Sequence, residues 1–231
     1  MTSSIRIISS MATKPLLAEL VALYQTLNEQ PIQVESVGGV DAAKRVQAGD
    51  AFDLVILARN GMDTLAAAGK LDAQGVVDLV RSGVAVAVPS GAIHPDISSG
   101  EAVKQAVLKA PTLGYSTGPS GVQLAKLFER WGIAEQIKNR IVQAPPGVPV
   151  GALIARGEVA LGFQQLSEML NVPGVDVVGL LPPDIEIITT FSGAIASTCI
   201  NTSPAHDLLA FLVSPACVQA IRRHGMEPAK G

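Results

Sequence analysis

Asp53-Leu54-Val55-Ile56-Leu57-Ala58 decides the fold class. From Leu54 onward the run is apolar with no period-two alternation, so a strand here is covered on both faces, as in parallel sheets flanked by crossover helices. A helix is expected from about Asn60 to Gly69. Upstream, Ile5 to Ile8 reads as a first strand, and Leu16, Leu17, Leu20, Leu23, Tyr24 and Leu27 form the apolar stripe of a helix opening near Pro15, which suits a first turn. Ile32 to Val37 is a second strand. Gly38-Gly39 then opens a helix containing Asp41, Ala42, Ala43 and Val46 that stops at Gly49.

The same grammar continues downstream. Gly83 to Val88 is a strand ended by Pro89-Ser90-Gly91, a helix spans about Glu101 to Lys109, and Thr112 to Tyr115 is the next strand. Ser116-Thr117-Gly118-Pro119-Ser120-Gly121 opens a helix bearing Val122, Leu124, Leu127, Phe128 and Trp131. After Ile141-Val142 and the turn Ala144-Pro145-Pro146-Gly147-Val148-Pro149 come a helix ending near Gly157 and strands over Val159 to Phe163, Asp176 to Leu181 and Ile185 to Ser197. Helices from about Pro204 to Val213 and Pro215 to His224 close the chain. The expected fold is α/β: two doubly wound lobes joined by two crossover strands, near Gly83 to Val88 and Ile188 to Ser197. Lobe 1 takes residues 1–83 and 189–231 and lobe 2 takes 84–188, with a ligand cleft between them.

Composition narrows the function. The 231 residues are 48% hydrophobic and 16% charged, enough for a full core and far from a disordered chain. Lys+Arg 17 against Asp+Glu 20 leaves a net charge of -3, so no basic excess exists for a nucleic-acid partner. Aromatics at 3% leave little for stacking platforms, which points to a ligand held by hydrogen bonds and dipoles. Cys199 and Cys217 lack metal-clip spacing and read as small buried apolar residues. No run of about 18 apolar residues predicts a membrane span. Met1-Thr2-Ser3-Ser4 leads straight into the first strand without a basic region, apolar core or cleavage site. As it stands the sequence is expected to be cytoplasmic, or periplasmic if a signal peptide has been removed.

Open parallel sheets bind ligands beyond the carboxyl ends of their strands, where loops feed helix N-termini. Those loops are small and hydroxyl-rich: Ser9-Ser10, Gly38-Gly39, Ala58-Arg59-Asn60, and Ser116-Thr117 with Ser120-Gly121. Small residues let backbone N–H groups approach a ligand, and helix N-termini favour negative charge, so the constellation suits a small anion. Ser and Gly are also ordinary turn and cap residues, so each loop alone is weakly specific. Arg59 is the one fixed cation in these turns and reads either as a bidentate partner for an oxyanion or as a solvated surface arginine. Lys14, Lys44 and Arg45 read as surface charges. Gln164-Gln165 follow the strand Val159 to Phe163, and because successive side chains in an extended segment point to opposite faces, one amide is expected to meet the ligand. Glu168 is the candidate general base, with a solvated helix-start carboxylate as the plainer reading. His94, His206 and His224 fall outside these loops. No phosphate loop, nucleophile elbow, H-E-x-x-H or C-x-x-C is present, and neither a metal nor a cofactor is expected.

The order of Ile7-Ile8-Ser9-Ser10, Asp53 to Ala58, Phe128-Glu129-Arg130-Trp131-Gly132-Ile133, Gly157 to Phe163, Ser214-Pro215-Ala216 and His224-Gly225-Met226 resembles the molybdate-binding-protein-like branch of the type 2 periplasmic solute-binding proteins. The resemblance covers nearly the whole chain. It implies two lobes closing on a ligand, C-terminal helices on lobe 1, and Ser9, Ser10, Gly38, Gly39 and the Ser116 to Gly121 loop facing the cleft. Two departures matter. Gly38-Gly39-Val40 stands where molybdate binders carry a serine, and Gln164-Gln165 where they carry an aromatic hydroxyl. Gly162-Phe163-Gln164-Gln165-Leu166-Ser167-Glu168 with Tyr115-Ser116 looks more like an unexported subgroup related to aconitate isomerase.

Two functions therefore stand. The first is capture of a small oxyanion or organic carboxylate by lobe closure, with an ABC permease as partner if the protein is exported. The second is a cytoplasmic isomerase that moves a proton and a double bond within a small polycarboxylate, which needs a positioned acid or base.

Overall fold

The computed structural model describes residues 4–145 and 147–229. The chain opens with β1 (Ile5–Ser10), α1 (Lys14–Leu27), β2 (Ile32–Val37), α2 (Gly39–Ala48), β3 (Leu54–Ala58), α3 (Arg59–Ala67) and the long β4 (Val77–Pro89). Its middle carries α4 (Gly100–Lys109), β5 (Leu113–Ser116), α5 (Pro119–Arg130), α6 (Ala134–Ile137), β6 (Ile141–Ala144), α7 (Val150–Ala155), β7 (Leu161–Gln165), α8 (Leu166–Met169) and β8 (Val175–Leu180). β9 (Ile188–Ile195), α9 (Thr202–Leu212), α10 (Val218–Arg223) and β10 (Met226–Pro228) follow. The fold is α/β. Contacts group it into two units, Met1–Arg81 with Thr190–Gly231, and Ser82–Thr189, so the divisions fall inside β4 and β9.

In the first unit β2, β1 and β3 are parallel, with Ser9 opposite Ser36 and Ile8 opposite Val55. β9 adds antiparallel to β3, pairing Val55 with Ala194. Neighbouring residues of one strand enter different cores. Ile7, Leu54 and Ile56 pack with Leu17, Leu20, Leu208 and Ile221, while Ile8, Val55 and Leu57 pack with Ala42, Val46, Met62 and Leu65. The unbroken apolar run of β3 thus feeds two helical layers at once.

The second unit repeats the plan. β6, β5 and β7 are parallel, and β4 runs antiparallel to β7 and β8. Val84, Val86 and Val88 meet Leu124, Leu127, Phe128 and Phe163 on one face. Ala87 meets Val150, Ile154 and Met169 on the other.

Several boundaries differ from the sequence reading. β4 starts six residues before the expected Gly83, because Asp78, Arg81 and Ser82 interrupt the apolar pattern in a stretch that is nonetheless strand. β7 runs to Gln165, two residues past the expected end, so both glutamines are ladder residues. In α1, Val21 is buried while Leu23 and Leu27 are exposed. Met1 to Ser3, part of the export reading, and Pro146 of the proline-rich turn lie outside the described residues. Among the described residues no single helix is long and apolar enough to cross a membrane.

Candidate functional site

In the first unit the carboxyl ends of β1, β2 and β3 bring hydroxyls together. Ser9, fully buried, shares a 2.7 Å hydrogen bond between its Oγ and that of Ser36. Ser36 is missing from the sequence reading, yet aligning the Ile5 and Ile32 runs side by side places it opposite Ser9. Ser10 is buried, and Thr13 Oγ1 donates to its carbonyl at 3.1 Å. A Cβ on Gly39 would lie 3.8 Å from the Ser10 Cβ, so the start of α2 sits against this serine. Gly38 and Ala58, the caps of α2 and α3, bring no side-chain acceptor to the first-turn N–H groups. Those donors are the ones a helix N-terminus offers to an anion.

Arg59 is exposed and already engaged. Its Nε donates to Asp63 at 2.8 Å and its guanidinium to Asp78 Oδ1 at 2.9 Å, and the same Asp78 oxygen accepts from the buried Ser192 hydroxyl at 2.6 Å. The hydrogen bonds to Asp63 and Asp78 push the guanidinium pKa up, so the cation is permanent and its charge is matched inside the unit. Arg45 is likewise paired, with Glu35 and Asp50, and Lys14 and Lys44 are exposed.

In the second unit the ends of β5, β6 and β7 lie in register, Ser116 opposite Ala144 and Tyr115 opposite Phe163. Ser116 Oγ accepts from the Gly118 N–H at 3.3 Å, Thr117 is exposed, and Ser120 is buried in the first turn of α5. Gly121 is obligatory. A Cβ there would overlap the Ser116 carbonyl oxygen, so only glycine lets α5 start this close to β5.

The two glutamines are both buried and diverge, as period-two geometry requires. Gln164 Oε1 accepts the Val150 N–H at 2.7 Å, capping α7 where Pro149 supplies no acceptor. Its Nε2 donates to Glu168 Oε1 at 2.8 Å. Gln165 Nε2 donates to Thr189 at 2.8 Å, and its Oε1 is buried without a hydrogen-bond partner among the described residues. Burial pushes the Glu168 carboxyl up to about 7, against the smaller downward pull of the Gln164 hydrogen bond.

The remaining candidates scatter. His224 bonds Glu19 at 2.8 Å across α10 and α1, and His94 approaches Asp176 at 3.7 Å. Cys217 is buried with its thiol on the Phe211 carbonyl, while Cys199 is only half-buried. Among the described residues no group of three or more His, Cys, Asp or Glu side chains is placed to hold a metal ion.

Residues 5–227 match the bacterial extracellular solute-binding protein family. Over 187 residues, 80% of this chain and 70% of the relative, the sequence is 40% identical to aconitate isomerase from a Pseudomonas species. The fold is similar to that of the periplasmic molybdate-binding protein of Azotobacter vinelandii, with a TM-score of 0.81 at 14% identity, covering 96% of this chain and 98% of that one. It is similar also to the sulfate-binding protein of Mycobacterium tuberculosis H37Rv, with a TM-score of 0.78 at 14% identity, covering 99% and 88%.

Proposed function

The chain belongs to the bacterial extracellular solute-binding protein family, and from that premise we propose that it captures a small anion, an oxyanion or an organic carboxylate, by closure of its two lobes. The observation that carries this reading is the hydroxyl and amide lining at the strand ends: Ser9, Ser10, Gly38 and Gly39 in one unit, Ser116, Thr117, Ser120 and Gly121 in the other. Such groups bind an anion by donated hydrogen bonds without a counter-charge. Arg59, already matched by Asp63 and Asp78, adds orientation rather than net charge. In an exported chain the receiving partner is an ABC permease.

Thermal-shift screening with molybdate, tungstate, sulfate, phosphate, citrate and both aconitate isomers tests this. At a hundredfold excess over its dissociation constant a true ligand stabilises by about 2.7 kcal/mol. No shift with any of them removes the anion reading.

A second reading is favoured by one finding, the 40% identity to aconitate isomerase. Here capture leads on to a shift of a proton and a double bond within a bound polycarboxylate. NMR of either aconitate isomer with the protein decides between release and conversion: appearance of the other isomer marks the enzyme.

A further inference from the structure

We propose that Glu168 is the proton-transfer group of the second unit, exchanging a proton through Oε2 with an allylic carbon of a bound unsaturated carboxylate; this rests on the isomerase reading and names its chemistry. The hydrogen-bond chain into Glu168 has a fixed direction. The Val150 N–H can only donate, so it takes Gln164 Oε1, and the Gln164 amide is then obliged to present Nε2 to Glu168 Oε1. Oε1 is therefore an acceptor in either protonation state. The mobile proton belongs to Oε2, which has no hydrogen-bond partner among the described residues.

Its neighbours leave that proton unopposed. β7 and α7, which pack against α8, carry no ionisable side chain. β8 carries only Asp176, which is engaged with Ser90, Gly91 and His94. Within α8, Ser167 and Met169 are buried, whereas Glu168 keeps partial exposure. A half-buried carboxyl with no cation beside it among the described residues exchanges protons near neutrality, its pKa pushed up to about 7 by burial. Its place follows the same logic: it stands one turn beyond the carboxyl end of β7, next in the sheet to β5 and its Ser116 loop.

The step balances without a co-reactant. The carboxylate form of Glu168 takes a proton from the allylic CH2. The C–H electron pair becomes a new C=C as the old π pair moves to the far carbon, where the flanking carboxylate delocalises it. Oε2–H then returns its proton to that carbon, and the glutamate is a carboxylate again.

The test uses trans-aconitate with the full chain in D2O, read by NMR for deuterium entering the methylene and for the cis isomer. The wild type is expected to exchange and convert, and Glu168→Gln to lose about 10²–10⁴-fold of both rates while keeping its thermal shift with the probe. The wild-type rate should rise with pH and level off above about 7. If the Gln variant does not fold, Glu168→Asp takes its place, with the rate reduced and the pH inflection kept. Wild-type rates in Glu168→Gln, or a pH-flat wild-type profile, overturn the role of Glu168 and leave the isomerase reading standing. A wild type that neither exchanges nor converts the probe overturns both.

Discussion

The strand ends of the two units follow one plan and carry different chemistry. In each, three parallel strands lead directly or through short turns into helix N-termini. In the first unit Ser9, Ser36, Ser10 and Thr13 hold one another, and the Arg59 charge is matched by Asp63 and Asp78. In the second, a carboxyl without a counter-ion among the described residues hangs on the far end of a glutamine. On the proposed reading the hydroxyl lining holds the ligand and the lone acid changes it.

The largest effect is expected at the glycines that open α5 and α2. Gly121→Ala should destabilise by about 3 kcal/mol, since the new methyl meets a backbone carbonyl that has nowhere to go. Gly39→Ala, with only ordinary contact to Ser10, should stay within about 0.5 kcal/mol. Urea unfolding of both variants measures this, and equal losses would show that the two loops are built alike.

Next comes pH. The Glu168 carboxyl titrates above its ordinary 4.5 in the folded chain, so between 4.5 and about 7 the native state holds the extra proton. Its stability contribution is full below 4.5 and declines as pH rises to about 7, by at most about 3–4 kcal/mol at about 1.4 kcal/mol per pH unit. Glu19 of the first unit has the opposite sign. Hydrogen bonds from Arg223 and His224 hold its carboxyl below the usual range, so its contribution is present above 4.5 and is lost as pH falls through the folded value. Stability measured against pH in Glu168→Gln should lose the decline toward 7 and keep the acid-side loss. A decline that persists in the variant assigns it to another group.

The smallest effect belongs to Arg59→Ala. Exposed ion pairs of this kind are worth about 0.5 kcal/mol, and with the guanidinium already matched, anion affinity should change by less than about threefold. A tenfold fall in calorimetric affinity would show that the ligand displaces Asp63 or Asp78.

Much of the fold was legible because the apolar runs that decide it are local. Leu54 to Ala58 announced a strand buried on both faces, and its residues do enter two cores. β10 and α6 were not legible, since three or four residues cannot display a period. The polar loops were likewise visible, but their internal bonds were not. Ser192 on Asp78 spans 114 positions and Gln165 on Thr189 spans 24, and such pairings follow from the sheet alone. Arg59 shows the cost of that blindness: its turn was recognisable, and its partner on β4 was not.

The placement of the unit divisions inside β4 and β9 also sets an order of events during synthesis. The second unit is one continuous stretch, complete once Thr189 has emerged. The first is split, and β3 gains its Val55–Ala194 pairing only when β9 is delivered. Closing that long loop is the slow, high-contact-order step, so the nascent protein passes through a stage with a finished inner unit and an open β3 edge. That edge is where a growing chain needs protection from pairing with a neighbour.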